Sequence, residues 1–183
     1  MSIEYISGKK APKTFRAKSD ALRDLINQTI QILDTLGLPI EGLSPRRLER
    51  MALAILAIVD VRNPAQWGIA RDLRTPRALQ TKEIVRYWRN VFDETISEGS
   101  YDDVRRKDLL LPYLSGMIVT DDPTKDTNDG TRRYGLNPEF SGVLRLFGTP
   151  GWATAADAFI ERYGTLAERL TKPRTLDRMP VFL

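Results

Sequence analysis

A chain of 183 residues in which 42% of the side chains are hydrophobic is long enough to build one modest core, and its composition does not indicate wholesale disorder. The absence of cysteine and histidine excludes disulfides, thiolate or imidazole catalysis and most zinc sites. The net charge is +4, and no apolar run is long enough for a signal peptide or a membrane span.

The first eighteen residues predict a basic, flexible arm. They hold five basic side chains against the single acid Glu4, whereas the rest of the chain is balanced in charge. Such an arm favours phosphates, because each lysine that meets a phosphate releases counterions. We expect this contact from Lys9, Lys10 and Lys13. The alternative is a solvated tail that only aids solubility.

Two amphipathic helices are predicted after the arm. Ser19 can cap a helix whose apolar residues recur every three or four positions until Gly37. Ser44, followed by Pro45, begins a second and more apolar helix that extends to about Val59 and is expected to be central. The stretch 63–80 lacks a clear period and predicts a connector packed by its tryptophan.

A pair of helices separated by a short turn is predicted next. The first begins near Thr81 and runs to about Glu94. The string SYDD predicts a capping box that begins the second helix at Ser100, and Pro112 is expected to kink or end it. On a helical wheel the apolar face consists of Val104, Leu110, Leu111 and Leu114. The opposite face consists of Asp102, Arg105, Arg106 and Leu109.

The remaining chain predicts a hairpin and further helices. Residues 117–120 and 132–137 have strand character on either side of a turn-rich loop, which indicates one hairpin with a long tip. Pro138 begins a helix to about Phe147, and a last helix is expected from about Ala153 to Leu170.

This order of elements predicts a mainly α winged helix-turn-helix fold with additional helices at both ends. The expected organisation is an arm over 1–18, a DNA-binding domain over 19–171, and a linker or the start of a further domain over 172–183. In such a fold the second helix of the pair enters the major groove and the hairpin flanks it, and arginine can contact guanine in a bidentate manner. The expected DNA-binding residues are Ser100, Tyr101, Arg105, Arg106 and Lys107 on that helix, and Lys125, Arg132 and Arg133 on the hairpin.

The charge of this region leaves an alternative open. Residues 100–133 contain seven acids against six bases, so DNA binding requires the two signs to lie on different faces. A winged helix that makes protein contacts, with its arginines paired to these acids, is the other interpretation.

Three stretches resemble a known family. The strings SYDDVRRKDLLLPYLSGMIV and TNDGTRRYGLNPEFSGVLRLFGTPGW, with RRLERMALAILAIVDVRNPAQW before them, resemble the helix-turn-helix domain of the BsuBI/PstI type II restriction endonucleases. The resemblance covers roughly residues 20–172 and is most specific over 100–152. It implies a DNA-recognition domain of a restriction-modification system, joined in the full enzyme to a carboxy-terminal PD-(D/E)xK nuclease domain that uses Mg²⁺.

The sequence itself predicts no nuclease centre in these 183 residues. No Asp or Glu is followed two positions later by Lys, so the acid and lysine pair of that nuclease motif is missing. We therefore expect no catalytic residue, metal or cofactor in this chain, with Mg²⁺ belonging only to a separate nuclease domain. Double-stranded DNA is the expected partner, a homodimer is implied by the family's palindromic sites, and the lack of cysteine agrees with a cytoplasmic location.

Two other functions remain open from the sequence. One is a free-standing winged-helix regulator that binds an operator as a dimer. The other is an interaction module that uses the last predicted helix against a protein partner.

Overall fold

The amino-terminal segment is packed against the body of the protein. The computed structural model describes residues 3–97 and 100–171, and in it a 3₁₀ turn over Gly8–Lys10 precedes a short helix α1 (Lys13–Arg16). Ile6, Ala11 and Phe15 are buried. The expectation of a flexible arm is therefore wrong for residues 3–18, because apolar side chains between the lysines join the core. The linker expected over 172–183 lies outside the described residues.

Two long helices form the centre of the fold. Helix α2 (Asp20–Thr35) and helix α3 (Pro45–Val59) begin as predicted, with the Ser19 and Ser44 side chains accepting backbone hydrogen bonds at their first turns. Every residue from Met51 to Val59 is buried, so this part of α3 is covered on all sides. Burying a side chain such as Leu or Ile stabilises a fold by about 1.5–3 kcal/mol, so α3 makes a large contribution to core stability.

The connector after α3 carries a tryptophan into the core. A 3₁₀ helix (Pro64–Ile69) places Trp67 at 2% exposure, where its indole N–H donates to Gln28 Oε1 at 2.9 Å. Trp88 is also fully buried, whereas Trp152 is partly exposed. The prediction that a tryptophan packs the connector is confirmed for Trp67.

The helix-turn-helix pair consists of helix α4 (Thr81–Phe92) and the segment 101–114. That segment contains α5 (Tyr101–Asp103), a π turn (Val104–Asp108) and α6 (Leu110–Leu114). The predicted capping box at Ser100 is wrong, because the Ser100 hydroxyl contacts the Ser97 hydroxyl at 3.0 Å and no backbone N–H.

The π turn changes which residues of this segment face the core. The Leu109 N–H donates to the Val104 carbonyl, five residues earlier, at 2.8 Å. The extra residue rotates everything after it by about 100° relative to a regular α-helix. Leu109 is therefore 1% exposed and Leu110 41% exposed, the reverse of the predicted faces. Pro112 lies in the first turn of α6, where no N–H is needed, so the irregularity occurs at the π turn instead.

The hairpin is antiparallel and forms the predicted wing. Strand β1 (Ile118–Thr120) pairs with β2 (Tyr134–Leu136), with Val119 opposite Gly135. Leu79, just before α4, exchanges two 2.8 Å backbone hydrogen bonds with Tyr134 and so extends the sheet. Gly135 is required here, because a Cβ atom would lie 2.6 Å from the Arg77 carbonyl oxygen.

The carboxy-terminal helices complete the described fold. A 3₁₀ turn (Pro138–Phe140) leads into α7 (Ser141–Arg145), followed by α8 (Trp152–Tyr163) and α9 (Leu166–Thr171). The single last helix predicted over Ala153 to Leu170 is thus two helices, which separate at Gly164 with a φ of +82°. Within residues 3–97 and 100–171, no helix is long and apolar enough to cross a membrane.

Candidate nucleic-acid interface

A buried ion pair fixes the segment 101–114 to the core. Asp108 is 2% exposed, and its Oδ2 atom accepts hydrogen bonds from Arg50 Nε at 3.0 Å and Arg50 Nη2 at 2.8 Å. The Arg50 guanidinium also lies 5.2 Å from the centroid of the Trp88 ring. Asp108 is therefore absent from the outer face of the segment, and the helix that carries the candidate residues is held by α3 and α4.

The outer face of this segment carries three cations in different environments. The side chains of Arg106 and Lys107 are 64% and 55% exposed, whereas that of Arg105 is 22% exposed. Asp102 lies 3.0 Å from Arg106 Nε and 3.3 Å from Arg105 Nη2. Such exposed pairs contribute at most about 1 kcal/mol, so the arginines can exchange Asp102 for another acceptor at little cost.

The wing tip uses its own acids to order its backbone. Asp122 accepts from the Thr124 side chain and backbone N–H, and Asp129 accepts in the same way from Thr131. These hydrogen bonds hold the pKa values of both carboxyls below their usual value. Lys125 donates to the Thr131 carbonyl at 3.3 Å. These two acids thus act within the loop and do not pair with the arginines of the 101–114 segment.

The two wing arginines differ from each other. Arg132 is only 8% exposed, donates to Tyr113 Oη at 2.6 Å and lies over the Tyr113 and Tyr134 rings. Its prediction as a DNA-binding residue is therefore corrected, because its side chain is directed into the interior beneath the hairpin. Arg133 is 42% exposed and pairs with Glu83 at 3.2 Å, so it remains at the surface.

The other predicted residues are brought together only in part. Ser100 and Tyr101 lie at the start of the 101–114 segment, and Tyr101 is 46% exposed. Lys9, Lys10 and Lys13 are exposed on the amino-terminal segment. Sequence reasoning missed Lys82 and Arg86, which are exposed on α4. Their spacing of four residues on a helix was the signal that could have identified them.

A buried charge network holds the chain where α4 ends. Lys18 Nζ lies 2.9 Å from Glu49 Oε2 and also contacts Glu94, while Arg46 contacts both carboxylates from the other side. Burial raises the pKa of Glu94, but the hydrogen bonds from Lys18 and Arg46 outweigh it and hold that pKa below 4.5. The network connects the amino-terminal segment, α3 and the turn that precedes the 101–114 segment.

These features define a winged helix-turn-helix module with exposed cations on the second helix of the pair and on the wing. In the part of the chain that is described, no three potential metal ligands converge on one point.

Comparisons with known proteins identify the family. A family model for the BsuBI/PstI restriction endonuclease HTH domain matches residues 23–168, and the chain belongs to that family. The chain is similar to the type II restriction enzyme BsuBI of Bacillus subtilis, with 21% identity over 165 residues, which are 89% of this chain and 50% of the relative. It therefore spans about half the length of that relative.

A solved structure shares the fold. The structure of SdaI restriction endonuclease matches with a TM-score of 0.62 and 22% identity, over 79% of this chain and 44% of that chain. The match confirms the predicted mainly helical, winged helix-turn-helix fold.

Proposed function

We propose that this chain binds double-stranded DNA in a sequence-specific manner, as the recognition domain of a type II restriction enzyme. The observation that carries the proposal is that Arg106 and Lys107 are exposed on the segment 101–114, which the pairing of Asp108 with Arg50 fixes to the core. Asp102 and Asp103 share this face, but their pairs with these cations are exposed and weak, so DNA phosphates can replace the two carboxylates as partners. A fixed helix matters because base recognition needs side chains held in a defined position.

Arg106 is the residue we expect to contact bases. Its side chain is 64% exposed and follows Tyr101 by five residues, within the first turns that a recognition helix presents to the major groove. Its guanidinium can donate to O6 and N7 of guanine together, a pattern that no other base offers. Arg105 is less suited to this contact, because its side chain is only 22% exposed.

Other cations are suited to the DNA backbone. Lys125 and Arg133 lie on the wing, and Lys9, Lys10 and Lys13 lie on the amino-terminal segment. Contacts of this kind supply affinity and orientation but carry no sequence information. A pair of copies is needed if the recognised site is palindromic, and we propose a homodimer for that case.

Selection of bound duplexes from a random pool tests this function. At moderate salt the chain is expected to enrich one short sequence, and its affinity for that sequence should exceed its affinity for unrelated DNA by at least about 10³-fold. Equal binding to all duplexes would contradict sequence recognition. Absence of DNA binding at low salt would contradict the whole proposal and favour protein contacts.

A further inference from the structure

A small cleft lies between the two helices of the helix-turn-helix pair. Its volume is about 120 Å³, and it is lined by Lys82, Val85 and Arg86 of α4 and by Tyr101. This volume is well above the roughly 10–15 Å³ that one water molecule needs. Val85 is buried, whereas the three polar side chains are exposed. The cleft therefore has an apolar floor and a rim of hydrogen-bond donors.

The two cations of the cleft have no counter-ion among the described residues. Within residues 3–97 and 100–171, the side chains of Lys82 and Arg86 form no ion pair or hydrogen bond. They lie four positions apart on one helix, so their charges repel each other. An anion bound between them would relieve this repulsion.

The acids near the cleft are engaged elsewhere. Glu83 accepts from the Gln80 backbone N–H at 2.9 Å and pairs with Arg133. Asp102 and Asp103, which follow Tyr101, pair with the cations of their own segment at 3.0–3.9 Å. No described carboxylate thus pairs with Lys82 or Arg86.

We propose that this cleft binds one phosphate of the DNA backbone, beside the base pairs that the segment 101–114 contacts. The inference rests on the proposed DNA binding and assigns a backbone contact to Lys82 and Arg86, which the sequence did not identify, together with Tyr101, which it did. Lys82 and Arg86 would donate hydrogen bonds to the phosphate oxygens, and the Tyr101 hydroxyl would donate a third hydrogen bond to the same phosphate. In helix-turn-helix proteins the first helix of the pair crosses the DNA backbone. Here that first helix is α4, which carries the cleft.

Binding a phosphate at this position would fix the register of the neighbouring helix on the duplex without adding sequence preference. The double variant K82Q/R86Q tests this consequence by fluorescence anisotropy with the full chain. We expect a loss of about tenfold or more in affinity, equal on preferred and unrelated duplexes. The slope of log K against log salt should fall by about 2, or about 1 for each cation.

Two controls accompany the double variant. R162Q removes an exposed arginine of α8 and is expected to leave both affinity and slope unchanged. The exchange variant K82R/R86K keeps both charges and should keep the slope. Thermal melting of each variant is expected to match the parent, because both substituted side chains are exposed.

A scan of duplexes with single neutral methylphosphonate linkages locates the contact. One methylphosphonate linkage beside the enriched sequence should weaken DNA binding by the parent protein. The same linkage should not weaken binding by K82Q/R86Q any further. If the double variant binds like the parent, the phosphate site is wrong while DNA binding stands. A loss confined to the preferred sequence also contradicts it, since that result indicates base contacts. If the parent binds no duplex, the proposed function fails, and the cleft with it.

Discussion

Arg132 places a positive charge beneath the wing without a carboxylate partner among the described residues. Its guanidinium lies 5.3 Å from the Tyr113 ring centroid and 5.6 Å from that of Tyr134. Two aromatic faces and the Tyr113 hydroxyl compensate part of the cost of burying the charge. Arg132 thus holds the hairpin against the 101–114 segment, whereas its sequence neighbour Arg133 remains at the surface.

We predict that R132A destabilises the fold by about 2–3 kcal/mol, from the loss of two cation–π contacts and one hydrogen bond. The matched variant R133A should cost less than about 1 kcal/mol, because it breaks only a partly exposed ion pair. Urea unfolding followed by circular dichroism measures both values. Equal stability of the two variants would contradict the structural role of Arg132.

At the scale of elements, the buried network of Lys18, Arg46, Glu49 and Glu94 joins three parts of the chain. The Lys18, Glu49 and Glu94 side chains are at most 5% exposed. Loss of one partner of such a network leaves an uncompensated buried charge, which typically costs about 3–5 kcal/mol. The amino-terminal segment is therefore part of the fold, and the turn after α4 depends on it.

The pH dependence of stability tests this network. The pKa of Glu94 is below 4.5 in the folded state, so its contribution is fully present above that pH and is lost as the pH falls through the folded pKa. We predict that E94Q lowers the melting temperature most at neutral pH, with the difference from the parent shrinking below about pH 4. E161Q, on the exposed face of α8, is the control, and its melting temperature should not differ from that of the parent in a pH-dependent way. A pH-independent difference for E94Q would contradict the assignment.

The sequence predicted those elements whose signals are local. Ser19 and Ser44 begin helices where hydroxyl caps were expected, and the hairpin forms where strand character surrounds a turn-rich loop. The π turn was not predictable from local signals, since it ends at Asp108, whose buried partner Arg50 is 58 residues away.

The candidate site was predictable in position but not in detail. The string VRRKD identified the helix that carries the exposed cations, yet residue type alone could not separate Arg106, which is exposed, from Arg132, which is buried. Burial of an arginine depends on which rings surround it in the fold. Lys82 and Arg86 were missed because the cleft forms only when α4 meets Tyr101.

At the scale of the whole molecule, the described chain presents cations on the second helix of the pair, on the wing and on the amino-terminal segment. Only the first of these is held on a helix of the kind that enters the major groove. We therefore assign base recognition to Arg106 and backbone contacts to cations such as Lys125. The two classes of residue should differ in how their loss affects sequence preference.

The most direct test compares R106A and K125A on duplexes that carry every single-base change of the enriched sequence. We predict that R106A costs about 1–3 kcal/mol on the preferred duplex and abolishes the preference at one guanine, whereas K125A weakens all duplexes to a similar extent. Far-ultraviolet circular dichroism checks that both variants are folded. An R106A variant that keeps the full base preference of the parent would contradict base recognition by Arg106.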